Sequence, residues 1–94
     1  MNYIPISQPS ITQKEIDYVT DAVKSGWVSS LGEYVEKFEK KFSEYCDTKY
    51  SLTTSNGTVA LHLTLAALGI KQDDEVIVPN FTFIATANSV KYLG

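Results

Sequence analysis

The run from Tyr50 to Gly69 decides the fold: Tyr50-Ser51-Leu52-Thr53-Thr54, then Ser55-Asn56-Gly57, then Thr58-Val59-Ala60-Leu61-His62-Leu63-Thr64-Leu65-Ala66-Ala67-Leu68-Gly69. The first five residues are β-prone, and Ser55-Asn56-Gly57 breaks them. Thr58 to Leu68 is almost continuous in Val, Ala, Leu and Thr, which reads as a helix capped by Thr58. A helix apolar on most sides must be covered on most sides. Gly69 closes it, Lys71–Asp74 turns the chain, and Glu75-Val76-Ile77-Val78 reads as a buried-type strand ended by Pro79. Thr82 then stands where it can cap a helix from Phe83 to about Tyr92. Strand, buried helix, strand, helix is a βαβα string, which implies a parallel sheet with helices packed on it.

Upstream, residues 1–11 are polar and punctuated by proline, an extended arm. Thr12-Gln13-Lys14-Glu15 has the form of a capping box. The helix after it carries Ile16, Val19 and Val23 at helical spacing, with Gly26 at the C-terminal cap position. Residues 27–32 form a loop. A second helix is predicted from about Glu33 to Tyr45, with Tyr34, Phe38, Phe42 and Tyr45 on one face. Residues 12–46 therefore hold two amphipathic helices and residues 49–94 the βαβα unit. Two parallel strands do not make a stable covered sheet, so the expectation is the N-terminal piece of a larger α/β domain, with Met1 as its start.

At 94 residues, 44% hydrophobic and 20% charged, the chain has the composition of one small globular unit. Its net charge is −3, and its eight cations, all lysines, are scattered. A nucleic-acid surface would cluster them. One cysteine, Cys46, and one histidine, His62, exclude an internal disulfide and leave a zinc site without ligands; Cys46 reads as inert packing. The start lacks the basic and apolar regions of a signal peptide, and no apolar run approaches a membrane span. A cytoplasmic location is the expectation, and the sequons at Asn56 and Asn80 then read as chance matches.

Three segments could carry chemistry. Thr54–Thr58 lies between a strand end and a helix N-terminus, where free N–H groups and the positive end of the helix dipole favour an anion. The same residues also read as a plain capped helix start, and both readings stand. Pro79–Phe83 follows the next strand, at the edge where open parallel sheets bind ligands. An aromatic ring there could stack on a flat cofactor, although burial statistics favour packing. Gly26–Ser30 sets Trp27, Ser29 and Ser30 in a loop suited to a ligand, a partner or structural anchoring. His62 reads as a packed residue, with no acid or nucleophile accompanying it.

Ser55–His62, Ala67–Ile70 and Asp74–Asn88, with Ser25–Ser29 and the opening Ile4–Ser10, resemble the DegT/DnrJ/StrS family of pyridoxal-phosphate-dependent nucleotide-sugar aminotransferases. The match runs in order over essentially the whole chain, and the wording of Trp27–Ser30 and Ser55–His62 is similar to that of the GDP-perosamine branch. The resemblance implies the large domain of the aspartate-aminotransferase fold (fold type I) and a homodimer. It further implies transfer of an amino group from glutamate to a nucleotide-linked keto-deoxysugar, for surface polysaccharide synthesis. It assigns the backbone of Thr58 and Val59 to the cofactor phosphate, Gly57 to the turn and Phe83 to the ring that stacks on the pyridine. Trp27, Ser29 and Ser30 fall on the sugar side. No lysine here matches the family's cofactor-bearing lysine, and no acid matches the partner of the pyridine nitrogen, so the chain by itself is expected to be inactive. A non-catalytic regulatory or anion-binding module on the same fold is the alternative.

Overall fold

The computed structural model describes residues 3–94. Four helices follow in order: α1 Gln13–Lys24, α2 Glu33–Tyr45, α3 Gly57–Ala67 and α4 Ala85–Lys91. The chain divides into two compact units, one running through Ser51 and the other Leu52–Gly94. No helix among the described residues is long and apolar enough to cross a membrane.

In the first unit, α1 begins with both halves of the expected capping box. The Thr12 N–H donates to Glu15 Oε2 at 2.7 Å, and the Thr12 hydroxyl bonds the same carboxylate. The Thr12 hydroxyl, and then its backbone N–H, hold the Glu15 carboxyl below its ordinary range. Gly26, at φ +77°, follows the Ser25 cap, as expected of a C-terminal glycine. Glycine is required more strictly at Gly32, the N-cap of α2. Its φ is +134°, and a Cβ there would lie 3.3 Å from Trp27 Cβ.

The predicted aromatic stripe of α2 is real. Phe38 and Phe42 stack with ring centroids 5.5 Å apart, and Tyr34 meets Tyr18 of α1 edge-on at 5.8 Å. The Tyr34 hydroxyl donates to Asp21 Oδ2 at 2.6 Å, tying the start of α2 to α1. That bond, reinforced by desolvation and by nearby carboxylates, pushes the tyrosine up to about 12. The helix ends with Asp47 at φ 51°, a left-handed position usually given to glycine. Cys46, expected to be packed, is exposed at this cap.

In the second unit the helices differ from the sequence expectation at their starts, and the sheet is absent. Neither 50–54 nor 75–78 forms a strand, and among the described residues there is none. Ile77, expected in a buried strand, is 101% exposed. A strand exists only as part of a hydrogen-bonded ladder, so β-propensity without a neighbouring edge produces none. The mainly parallel sheet on which the helices were expected to pack is therefore not formed among these residues. What remains is α3 against α4. Among the described residues no apolar side chain is buried, and Ser89 is the fully buried exception among all types, at 0% exposure. Val59, Leu61 and Leu63 on α3 all stay open to solvent.

Candidate cofactor-phosphate site

The start of α3 is built by Asn56. Its backbone is extended, at φ −168° and ψ 170°, and its Oδ1 accepts from the Val59 N–H at 3.1 Å. Its carbonyl accepts from the Thr54 hydroxyl and the Ala60 N–H, both at 3.1 Å. Thr58, expected as the cap, instead occupies the second helical position. Asparagine ranks among the best N-caps, so the sequence signal for this cap lies two residues earlier, at Asn56. The backbone at Gly57 does not itself require glycine. It is the first helical residue, outside the left-handed region, and a Cβ on it would meet nothing within 4 Å. Its contribution is a bare backbone over the helix end.

The first-turn N–H groups of a helix have no internal acceptor. Asn56 takes that of Val59; those of Gly57 and Thr58 have no acceptor among the described residues. Both residues line a concavity of about 670 Å³, with Ala60 and Leu61 beside them and residues 82–86 on the other side. Val59 does not line it. No charged side chain does either, so its electrostatic character comes from the positive end of α3.

The far wall is a turn that leads into the first residues of α4. Thr86 N–H donates to the Phe83 carbonyl at 3.1 Å, and α4 begins at Ala85 after Ile84, whose side chain caps nothing. The expected cap by Thr82 and helical start at Phe83 are thus corrected. The Thr82 hydroxyl sits 3.1 Å from that of Thr86 and does not cap a backbone N–H. Outside the helix, Phe83 is 87% exposed and lines the concavity that also holds Gly57 and Thr58.

Two groups hold this arrangement: Ser89, which sequence reasoning did not single out, and His62, which it read as packed. The Ser89 hydroxyl lies 3.2 Å from the Thr58 carbonyl and 2.7 Å from that of Ala85, joining α4 to the first turn of α3. His62, one turn further along α3, packs against Tyr92 with ring centroids 5.7 Å apart. The Trp27 loop lies in the other unit. There Trp27 and Ser29 line a separate hollow of about 290 Å³ with Val19, Val23 and Tyr34, while Ser30 does not line it. Ser29 Oγ accepts from the Leu31 N–H at 3.1 Å.

The model of the DegT/DnrJ/EryC1/StrS aminotransferase family matches residues 9–94. GDP-perosamine synthase from Escherichia coli O157:H7 is 56% identical over the entire chain, which covers 26% of that protein. A Bacillus subtilis relative named as a pyridoxal phosphate-dependent aminotransferase is 37% identical over 95% of the chain and 23% of its own length. The backbone also matches the X-ray structure of the aminotransferase from Psychrobacter cryohalolentis with a TM-score of 0.78 and 42% identity, over 96% of this chain and 23% of that one. The chain thus spans about a quarter of the length of the relatives it matches. With the family model matching all but its first eight residues, the chain belongs to the DegT/DnrJ/EryC1/StrS aminotransferase family.

Proposed function

We propose that the chain supplies the phosphate cradle and ring-stacking wall of a pyridoxal-phosphate-dependent sugar aminotransferase. The reaction is transfer of an amino group from glutamate to a nucleotide-linked keto-deoxysugar of the perosamine type. The observation that carries this reading is the shared concavity of the α3 N-terminus and Phe83, taken with membership of the family.

The residues present fit part of the cofactor. The N–H groups of Gly57 and Thr58 can donate to phosphate oxygens, the helix dipole favours the negative charge, and the exposed Phe83 ring can cover a flat heterocycle. At Gly57 the backbone carries no side chain beside the phosphate, and the space a Cβ would enter is open. Val59, assigned to the phosphate by resemblance, would act through its bond to Asn56, which fixes the turn. When bound, pyridoxal phosphate supplies the electron sink through which an amino group changes carbon. No lysine and no carboxylate line the concavity, so the proton-carrying amine and the acid facing the pyridine nitrogen come from elsewhere. Trp27, Ser29 and Ser30 belong to the same reading on the sugar side, as does a homodimer; both rest on resemblance to the family.

The test is made in an aminotransferase polypeptide of the relatives' length carrying this chain. Glutamate and a GDP-linked keto-deoxysugar, the nucleotide taken from the Escherichia coli relative's name, should yield 2-oxoglutarate only when the cofactor is present. Phe83→Ala should weaken cofactor retention several-fold, since aromatic pairs contribute about 0.5–1.5 kcal/mol beyond burial. Unchanged retention would remove Phe83 from the site, and no 2-oxoglutarate with any nucleotide-linked keto-sugar would sink the reading.

A further inference from the structure

We propose that Ser89 is a positioning residue for the phosphate cradle, acting with Asn56 as a clamp on the peptide unit between Thr58 and Val59. The carbonyl of that unit faces the Ser89 hydroxyl at 3.2 Å, and its N–H donates to Asn56 Oδ1 at 3.1 Å. Both ends of one peptide group are therefore held by side chains, in the helical turn whose Gly57 and Thr58 line the concavity. The inference rests on the cofactor reading above and concerns how that same site is held.

The bland account of Ser89 is a serine bonding back to its own helix, and its 2.7 Å contact with the Ala85 carbonyl is of that kind. Such a contact would form in an isolated helix. The approach to Thr58 would not: it joins residues 31 apart in sequence, and Ser89 is fully buried where α4 meets α3. The hydroxyl proton is shared between the two carbonyls. A donor on the Thr58 carbonyl also polarises its peptide group, which makes the N–H on the other side a stronger donor. Because α4 begins directly after Phe83 and Ile84, the same contact sets the spacing between the donors and the ring. Ser89 is fully buried at this crossing, and alanine there loses the bond.

The experiment compares pyridoxal phosphate with pyridoxal, which carries the same aldehyde and ring but no phosphate. Dissociation constants for both are measured on the ligand-free aminotransferase polypeptide carrying this chain, with Ser89 or with Ser89→Ala. The ratio isolates the phosphate, and any unfolded fraction cancels within one preparation. Loss of one hydrogen bond should reduce the preference for the phosphorylated ligand roughly three- to ten-fold. The melting midpoint of the ligand-free protein should move little, because both carbonyls keep their helical partners. A variant that loses affinity for both ligands equally, or for neither, overturns the positioning role while the cofactor reading stands. An unsubstituted protein with no preference for the phosphorylated ligand overturns the cradle itself.

Discussion

Asn56 Oδ1 stands 3.1 Å from the Val59 amide nitrogen, and this one contact sets where α3 begins and which of its N–H groups stay open. Asn56→Ala removes the cap and should cost about 1 kcal/mol of stability, read as a lower melting midpoint. Asn56→Asp keeps an accepting oxygen there and suits the helix dipole, so the midpoint should hold. It also places a negative charge beside the proposed phosphate, and affinity for pyridoxal phosphate should fall. An Asp variant that binds the cofactor as tightly as the parent would locate the anion elsewhere.

Gly57 and stability should part company. A Cβ there meets no neighbour within 4 Å, and alanine is favoured over glycine in helices, so Gly57→Ala should be neutral or stabilising by up to about 1 kcal/mol. On the proposed reading, the added methyl would crowd a phosphate bound at the first-turn donors. A hydrogen bond to a charged group contributes about 1.5–3 kcal/mol, so losing one should weaken pyridoxal phosphate binding at least ten-fold. Thermal melting and cofactor titration of the same variant read the two effects with opposite signs; equal cofactor affinity would place the phosphate away from this backbone.

Alkaline pH should release α2 from α1. The hydrogen bond to Asp21 first, then desolvation and neighbouring carboxylates, raise Tyr34 from 10.0 to about 12. A group raised on folding contributes stability that is fully present below its unfolded value, here 10.0, and lost as pH rises through about 12. The phenolate absorbance difference between the parent and Tyr34→Phe should therefore titrate near 12, above an ordinary tyrosine. A difference centred at 10 would mean that the bond to Asp21 is not kept in solution.

The chain alone should associate and should not transaminate. Val59, Leu61 and Leu63 of α3, and Phe38 and Phe42 of α2, are all exposed, and apolar surface of this extent drives association. Sedimentation should give a mass above the 10.4 kDa of one chain. With no lysine at the concavity, glutamate and pyridoxal phosphate should give no 2-oxoglutarate. A stable monomer, or turnover, would contradict the respective halves of this expectation.

What the sequence by itself determined is local. The Thr12–Glu15 box, the glycine after α1, the span Glu33–Tyr45 of α2 and the closure of α3 at Gly69 were all legible. Each is written in contacts three to five residues apart, which a reader of the chain can count. Family membership was legible for a different reason: the wording of Ser55–His62 and Asp74–Asn88 is specific in order and spacing. Only the tertiary structure decided the rest. It moved the cap from Thr58 to Asn56, released Phe83 from α4 into an open turn, and brought the Ser89 hydroxyl to a carbonyl 31 residues away. It also left 50–54 and 75–78 without strand structure. A ladder and a helix crossing both depend on what arrives alongside in space, and β-propensity or a lone buried serine cannot name that neighbour in advance.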